Sequence, residues 1–84
     1  MIWHVYIIES SDSSYYTGIT TDLKRRFNQH TNGKGAKFFN GRKPIRIIYS
    51  EDGHTKSSAS KREQEIKRLS RKEKETLISN NLLR

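Results

Sequence analysis

The residues best suited to chemistry lie on a short basic helix that follows a glycine-ended strand. The segment from residue 16 to residue 30 reads YTGITTDLKRRFNQH. Arg26 and His30 are four residues apart, so they share one face of a helix. Gly18 allows the sharp turn that would bring this helix beside the strand carrying Tyr16. A guanidinium, an imidazole and a phenol in one place suit a phosphodiester substrate, because arginine can bind a phosphate and offset the charge that develops on it.

Glu63 is a further candidate, because a carboxylate on a buried helix stripe is costly without a partner. It falls four residues after Ala59 and three before Ile66, which are apolar positions of the predicted helix. The functional interpretation is a ligand for a hard divalent cation such as Mg²⁺, with water and phosphate oxygens completing the coordination. The alternatives are an ion pair with Arg62 or Lys67, or a helix rotated enough to leave the carboxylate at the rim.

The remaining tyrosines and histidines each have a structural alternative. Tyr6 and Tyr16 would meet if the first two strands form a hairpin, although a strand tyrosine is usually a packing residue. His30 would hold a phosphate, orient a tyrosine or move a proton, and its alternative is a histidine whose hydrogen bonds are satisfied on the helix face. His4 and His54 have no partner pattern and are interpreted as structural or surface residues.

A group of cations predicts a surface that follows a nucleic-acid backbone. Phe38 or Phe39 would stack on bases there, unless both belong to the core. Lys24 and Arg25 are expected to face solvent beside Arg26. The predicted nucleic-acid-binding residues are Lys24, Arg25, Lys34, Lys37, Arg42, Lys43 and Arg46.

The composition narrows the possible partners. The 84 residues include 17 Lys and Arg against 9 Asp and Glu, for a net charge of +8. Such an excess indicates nucleic acid, an anionic membrane surface or an acidic protein as partner, with solubility alone as the alternative.

There is no cysteine, which excludes disulfides and thiolate metal sites. The first residues lack a signal-peptide pattern and the longest apolar run, Val5 to Ile8, is too short to span a membrane, so a cytoplasmic protein is expected.

The hydrophobic pattern predicts an α+β domain, a small three-stranded antiparallel sheet flanked by helices in the order β-β-α-α-β-α-α. An apolar fraction of 31% predicts a thin core. The predicted elements are strands over Ile2–Glu9, Tyr15–Thr20 and Ile45–Ser50, helices over Leu23–Thr31 and Lys56–Leu69, a helical turn over Ala36–Asn40, and a last helix carrying Leu77 and Ile78.

Three details of this arrangement follow from local patterns. The third strand is expected to be central in the sheet and to end at residues 51–53, which are rich in turn formers. In the first strand, odd-numbered residues from 3 to 7 would face one side and even-numbered residues from 4 to 8 the other. Ser70 and Glu73 have the spacing of a capping box at the start of the last helix.

Taken together, these residues resemble the GIY-YIG nuclease superfamily. The residues that carry the resemblance are His4-Val5-Tyr6, Tyr16-Thr17-Gly18, Arg26, His30 and Glu63. Positions 4, 5 and 17 differ from the glycine and isoleucines of the family name. The resemblance covers roughly residues 2–78 of a single domain, residues 1–84. It is strongest to the small stand-alone bacterial branch and to the catalytic domain of the endonuclease subunit that cuts branched DNA.

The resemblance implies a metal-dependent endonuclease that hydrolyses phosphodiester bonds in DNA, including branched or damaged structures met in DNA repair. Glu63 would hold one Mg²⁺ or Mn²⁺ ion and Arg26 would offset transition-state charge. Tyr6 would help to remove a proton from the attacking water, or only position it, with Tyr16 and His30 completing the network. Because family enzymes usually carry a separate binding module, two alternatives stay open: a catalytically weak nucleic-acid-binding module, and a nuclease subunit active only with a partner protein.

Overall fold

The computed structural model describes residues 1–82, and its elements follow the predicted order. They are β1 Trp3–Ser10, β2 Tyr15–Thr20, α1 Leu23–Thr31, a 3₁₀ helix Lys37–Phe39, β3 Pro44–His54, α2 Lys56–Lys67 and α3 Arg71–Leu82. The α+β class and the three-stranded antiparallel sheet are confirmed. The bounds of β2 and α1 are as predicted, whereas β1 lies one residue later and α2 ends two residues earlier. Each helix within residues 1–82 is too short or too polar to cross a bilayer.

The central strand of the sheet is β1, because the strand order is β2-β1-β3. The prediction that the third strand is central is therefore wrong. A strand covered on both faces needs apolar side chains in both directions, and every residue from Val5 to Ile8 in β1 is at most 2% exposed. At the start of β3, by contrast, Ile45 is 54% exposed. β3 is an edge strand.

β3 also continues to His54, whereas the prediction ended it at Ser50. The predicted turn is instead a register shift within β3, where Gly53 has a φ of +74°, and the strand still pairs with β1, so that His54 lies opposite Trp3. The carboxylate of Glu51 anchors this extension, since it accepts a hydrogen bond from Arg62 Nε of α2 at 2.8 Å. A contact between distant elements has overridden a local turn signal.

The alternation of side chains along β1 is as predicted and divides the core between the two faces of the sheet. Val5 and Ile7 pack with Ala59 and Ile66 of α2 on one face. On the other face, Tyr6 and Ile8 form a cluster with Phe39, and the apolar side of α1 packs against it. The candidate catalytic tyrosines therefore face α1, while α2 lies behind them.

Side-chain caps fix where the helices begin. Asp22 caps α1 by accepting a hydrogen bond from the backbone N–H of Arg25 at 3.0 Å. Thr55 caps α2 in a reciprocal pair with Ser58. The predicted capping box of α3 is confirmed: Glu73 accepts from the Ser70 N–H at 2.9 Å, and the Ser70 hydroxyl accepts from the Glu73 N–H at 3.1 Å. Fixed starting points determine which side chains of α1 and α2 point toward the sheet.

Candidate active site

A hydrogen bond between Tyr6 and His30 forms the centre of the candidate site. The phenol oxygen lies 2.9 Å from His30 Nε2, and the two residues are 2% and 1% exposed. β1 supplies Tyr6 because it is the central strand, and α1 supplies His30 from its last turn. The sequence left open whether His30 binds a phosphate, moves a proton or orients a tyrosine, and the geometry matches the last of these.

Tyr16 and Gly18 of β2 line the same face of the sheet. Gly18 pairs directly with Tyr6 across the strands. A Cβ atom on Gly18 would lie 2.5 Å from the Tyr6 oxygen, so only glycine leaves room for the phenol. The Tyr16 ring centroid is 6.3 Å from that of Tyr6 and 5.2 Å from that of His30. Thr17, which replaces an isoleucine of the family motif, points to the opposite face, and its buried hydroxyl has no hydrogen-bond partner among the described residues.

Burial keeps both members of the central pair neutral at pH 7. Burial, followed by the neighbouring Tyr16, raises the pKa of Tyr6 from 10.0 to about 12. Burial, followed by the positive charge of Arg26, lowers the pKa of His30 from 6.5 to about 4. Neither group changes its charge near neutrality, so in this state the pair can hold a proton in place but cannot readily accept one.

The direction of the hydrogen bond follows from the other imidazole nitrogen. His30 Nδ1 is buried and has no hydrogen-bond partner among the described residues. An orphaned buried N–H is rarer in proteins than an under-used acceptor. We therefore assign the proton of the neutral ring to Nε2, which donates to the Tyr6 oxygen. This arrangement would stabilise a phenolate at Tyr6 if one formed, because hydrogen bonds to a charged form favour it.

Arg26 lies beside this pair and is held by a residue that the sequence analysis did not single out. Its Nη1 donates to Gln29 Oε1 at 3.0 Å, and the side chain is partly buried. Its charge favours ionisation of Tyr6, although burial outweighs it. The spacing of three residues on one helix was the available signal for Gln29.

Gly35 was also missed, and it lies against the imidazole. A Cβ atom on Gly35 would overlap Nδ1 of His30. Because Gly35 has no side chain, the backbone after α1 leaves room for the ring in the position where it bonds Tyr6. Nothing in the sequence distinguishes this glycine from Gly33, whose φ of +73° is a conformational requirement of the turn.

Glu63 lies on α2, which packs on the face of the sheet opposite α1. Its side chain is only 17% exposed, and its negative charge is close enough to Tyr6 to raise the phenol pKa slightly. Of the alternative partners considered above, Lys67 Nζ lies 3.4 Å from Glu63 Oε2, whereas Arg62 pairs with Glu51 and Glu65. The carboxylate therefore forms a long ion pair with Lys67, and its charge also acts on the Tyr6 phenol.

The donor set at Glu63 fits a cation that keeps water and phosphate ligands. Within residues 1–82, no group of three or more His, Asp or Glu side chains could enclose a metal ion. Mg²⁺ is often bound by one or two carboxylates together with waters and substrate phosphates. The Lys67 side chain is 46% exposed, so its ammonium group can move into solvent when a cation takes its place beside Glu63.

The predicted nucleic-acid-binding residues fall into two groups. Arg42 and Arg46 form ion pairs within the chain, Arg42 with Asp12 at 2.7 Å and Arg46 with Glu9 at 3.2 Å. Hydrogen bonds from Ser14 and then Arg42 lower the pKa of Asp12 to about 2. The other five are exposed and form no ion pair within the part of the chain that the structure describes: Lys24, Arg25, Lys34, Lys37 and Lys43.

The two phenylalanines proposed as stacking residues are engaged within the fold. Phe39 is 7% exposed and belongs to the core. The Phe38 ring packs 5.3 Å from that of Tyr16 and is covered by the Arg42 guanidinium at 4.3 Å. Among the histidines interpreted as structural, His54 bonds Glu51 and Ser58 at 2.9 Å each.

The chain is similar to known proteins over most of its length. A model of the GIY-YIG catalytic domain matches residues 2–76. A UPF0213 protein of Halobacterium salinarum is 51% identical over 75 residues, which are 89% of this chain and 97% of that protein. The solution NMR structure of a UPF0213 protein from Bacillus halodurans is 47% identical, with a TM-score of 0.60, and covers 94% of this chain and 84% of its own. The solution NMR structure of a protein from E. faecalis is 34% identical, with a TM-score of 0.68, and covers 100% of this chain and 90% of its own.

Proposed function

Since the chain belongs to the GIY-YIG catalytic domain family, whose members are nucleases, we propose that it is a divalent-metal-dependent endonuclease that hydrolyses phosphodiester bonds in DNA. The observation that carries this proposal is the 2.9 Å contact between Tyr6 and His30 on the face of the sheet covered by α1, the helix that also carries Arg26. The charges of Arg26 and Glu63 both act on the Tyr6 phenol. A guanidinium for the phosphate, a carboxylate for a cation and an oriented phenol are the groups that this hydrolysis requires.

Each side chain has a separate task in the proposed reaction. Arg26, fixed by Gln29, binds the scissile phosphate and offsets the negative charge that grows in the transition state. The Tyr6 oxygen, held by His30, accepts a hydrogen bond from the attacking water and orients it. Glu63 would hold the divalent cation, which would supply Lewis-acid polarisation of the phosphate.

The role of Tyr6 as a base depends on its environment in the complex. With a pKa of about 12, it is protonated at neutral pH and positions water rather than removing a proton. An added positive charge beside it lowers the cost of forming a phenolate. The burial of the Tyr6 side chain, which is 2% exposed, favours a second candidate function, nucleic-acid binding without turnover by the isolated chain.

Cleavage assays on defined DNA structures test the proposal. We expect purified protein with Mg²⁺ or Mn²⁺ to cut at least one of a flap, a four-way junction and a single strand. Glu63→Gln and Arg26→Ala are each expected to reduce the rate by about 100-fold or more, as for loss of a transition-state contact. Glu65→Gln is the matched control, because this side chain is 65% exposed on the same helix.

The results separate the candidates. Cleavage that survives both substitutions contradicts the assignment of the site. Binding of the same DNA without any cleavage contradicts turnover by the isolated chain and assigns the binding function. If cleavage then appears on addition of a protein co-purified with the chain, the activity belongs to a two-component nuclease.

A further inference from the structure

A shallow apolar depression lies between α1 and the start of β3, outside the Tyr6–His30 pair. Its volume is about 310 Å³, near the lower end of the roughly 300–1,000 Å³ typical of small-ligand sites. Phe27 and Ile47 are half-buried in its floor, and Ile45 is 54% exposed. The lining residues are Lys24, Phe27, Asn28, Ile45, Arg46 and Ile47.

A polar groove adjoins this depression along α1. Its volume is about 480 Å³, and Lys24 and Asn28 line both concavities. Arg25 and Lys34 add two exposed cations to the groove. Its one lining carboxylate, Asp22, already accepts the hydrogen bond that caps α1.

The groove leads toward the candidate active site. Gln29 lines it and also accepts the hydrogen bond from Arg26. A chain of phosphates lying along the groove would therefore pass next to the guanidinium assigned to the scissile phosphate. The apolar depression lies at the far side of Lys24 and Asn28 from that point.

We propose that the depression binds one unstacked nucleobase of a single-stranded segment, while the groove binds the adjoining phosphates. Sites for single-stranded nucleic acid combine a cationic path for the backbone with aromatic surface for the bases. Here the groove supplies the cations, and the depression supplies the apolar surface, which includes Phe27. The proposal rests on the proposed function for the class of ligand, and it adds the strandedness of the substrate and the position of the base.

Charge distinguishes a nucleotide from the other possible occupants. Lys24 on the rim is exposed, and the side chain of Arg46 is 70% exposed despite its 3.2 Å pair with Glu9, so both cations can face the phosphates on either side of a base. A second copy of this chain would bring another net charge of +8 against the same surface, and this repulsion opposes association. The stacking residues expected from the sequence, Phe38 and Phe39, are already engaged within the fold.

Two oligonucleotides of equal length, one of thymidines and one of abasic sites, test the proposal because they differ in bases and not in phosphates. Affinity is measured by fluorescence anisotropy at one salt concentration without metal, so that no cleavage occurs. We expect the thymidine strand to bind roughly 5- to 100-fold more tightly, in line with one stacked base. Ile45→Ser should remove most of this preference and leave the abasic affinity unchanged.

Two further variants control for charge and for general exposure of apolar residues. Lys24→Gln should weaken both oligonucleotides by the same factor, because it removes a phosphate contact. Ile2→Ser should leave both affinities unchanged, since Ile2 is 63% exposed but lies outside the depression. Circular dichroism on each variant confirms that the fold is retained.

The possible outcomes separate this proposal from the proposed function. Equal affinity for the two strands, or an equal loss on both with Ile45→Ser, overturns the base site while leaving the nuclease assay to be judged by itself. A thymidine preference that Ile45→Ser removes, in a protein that cuts no DNA, supports the base site and overturns only the enzyme. A dimer in sedimentation that Ile45→Ser dissociates assigns the depression to a second copy and overturns the proposal.

Discussion

Burial sets the protonation state of individual residues at the candidate site. Tyr6 and His30 are both held in their neutral forms, with pKa values of about 12 and about 4. Both groups are therefore buried in their neutral forms at pH 7, and the folded state disfavours the charged form of each. The pair provides a fixed hydrogen bond near neutrality, and its stability has a limit on each side of that range.

The acid limit of stability is testable at His30. The unfolded residue takes up a proton near pH 6.5 and the folded one near pH 4, so its contribution is complete above pH 6.5 and is lost as the pH falls toward 4. By linkage, the free energy of unfolding should decrease by about 2–3 kcal/mol between pH 7 and pH 4. Urea denaturation at several pH values measures this slope. His30→Gln should flatten it between pH 6.5 and 4.5, and parallel curves for the two proteins would contradict the assigned protonation state.

The contact between Gly35 and the imidazole gives a second prediction at this scale. Gly35→Ala should displace the His30 ring, because the new Cβ overlaps Nδ1, and should destabilise the fold by about 1–3 kcal/mol, as overpacking does. Cleavage should fall with it, since the Tyr6 oxygen loses its donor. Gly33→Ala is the matched control: its φ of +73° makes alanine strained, but no atom lies within 4 Å of the added Cβ. It should reduce stability with little change in cleavage, and an equal effect of both variants on activity would exclude a positioning role for Gly35.

At the scale of elements, the orientation of α2 decides where Glu63 lies. A network around Glu51 joins β3 to α2: its carboxylate accepts hydrogen bonds from Tyr49 Oη at 2.5 Å and Arg62 Nε at 2.8 Å, and His54 Nε2 lies 2.9 Å away. Burial acts to raise the pKa of Glu51, but the hydrogen bonds from Tyr49, Arg62 and His54 outweigh it, so the pKa lies below its ordinary value. Arg62 immediately precedes Glu63, so this network fixes the rotation of the helix.

Breaking the network should therefore affect stability and metal use together. Glu51→Ala removes the acceptor of the Tyr49 hydroxyl and leaves Arg62 with its longer 3.4 Å pair to Glu65, and we expect a loss of about 2–4 kcal/mol in the free energy of unfolding. We also expect a higher Mn²⁺ concentration for half-maximal cleavage, because Glu63 is less firmly placed. Glu75→Ala is the control, since its pair with Arg71 is exposed and should contribute less than about 1 kcal/mol. An unchanged Mn²⁺ requirement in folded Glu51→Ala would show that the network only stabilises the fold.

For the molecule as a whole, local patterns in the sequence predicted the elements, while long-range contacts decided their arrangement. Strand alternation in β1, the hairpin and the capping box of α3 depend on neighbours in sequence, and these were predicted correctly. Strand order depends on which apolar surfaces remain after all elements pack, so the apolar third strand became an edge. The extension of β3 depends on Arg62, eleven residues after Glu51, which no local pattern reveals.

The candidate site shows the same division. The spacing of Arg26 and His30 on α1, and of Glu63 on α2, follows from the helical repeat. The resemblance to a family then implied a role for each of these residues and for Tyr6. Which cations are neutralised within the chain was not predictable, since Arg42 pairs with Asp12, thirty residues away. The contact of Gly35 with His30 likewise depends on the path of a loop. Sequence spacing supplied the candidate residues, and tertiary contacts determine their protonation state and their hydrogen-bond and ion-pair partners.

The distribution of the net charge of +8 leads to a prediction about salt. If the α1 groove binds phosphates, the affinity for a single strand should fall with salt, with a log–log slope that becomes less steep by about 0.7 for each contact removed. The double variant Lys24→Gln/Lys34→Gln should change the slope by about 1.4, which is twice 0.7. Lys72→Gln/Lys74→Gln removes the same charge from α3 and should leave the slope unchanged. Equal changes in the two variants would mean that the strand responds to total charge, and the groove along α1 would then have no special part in binding.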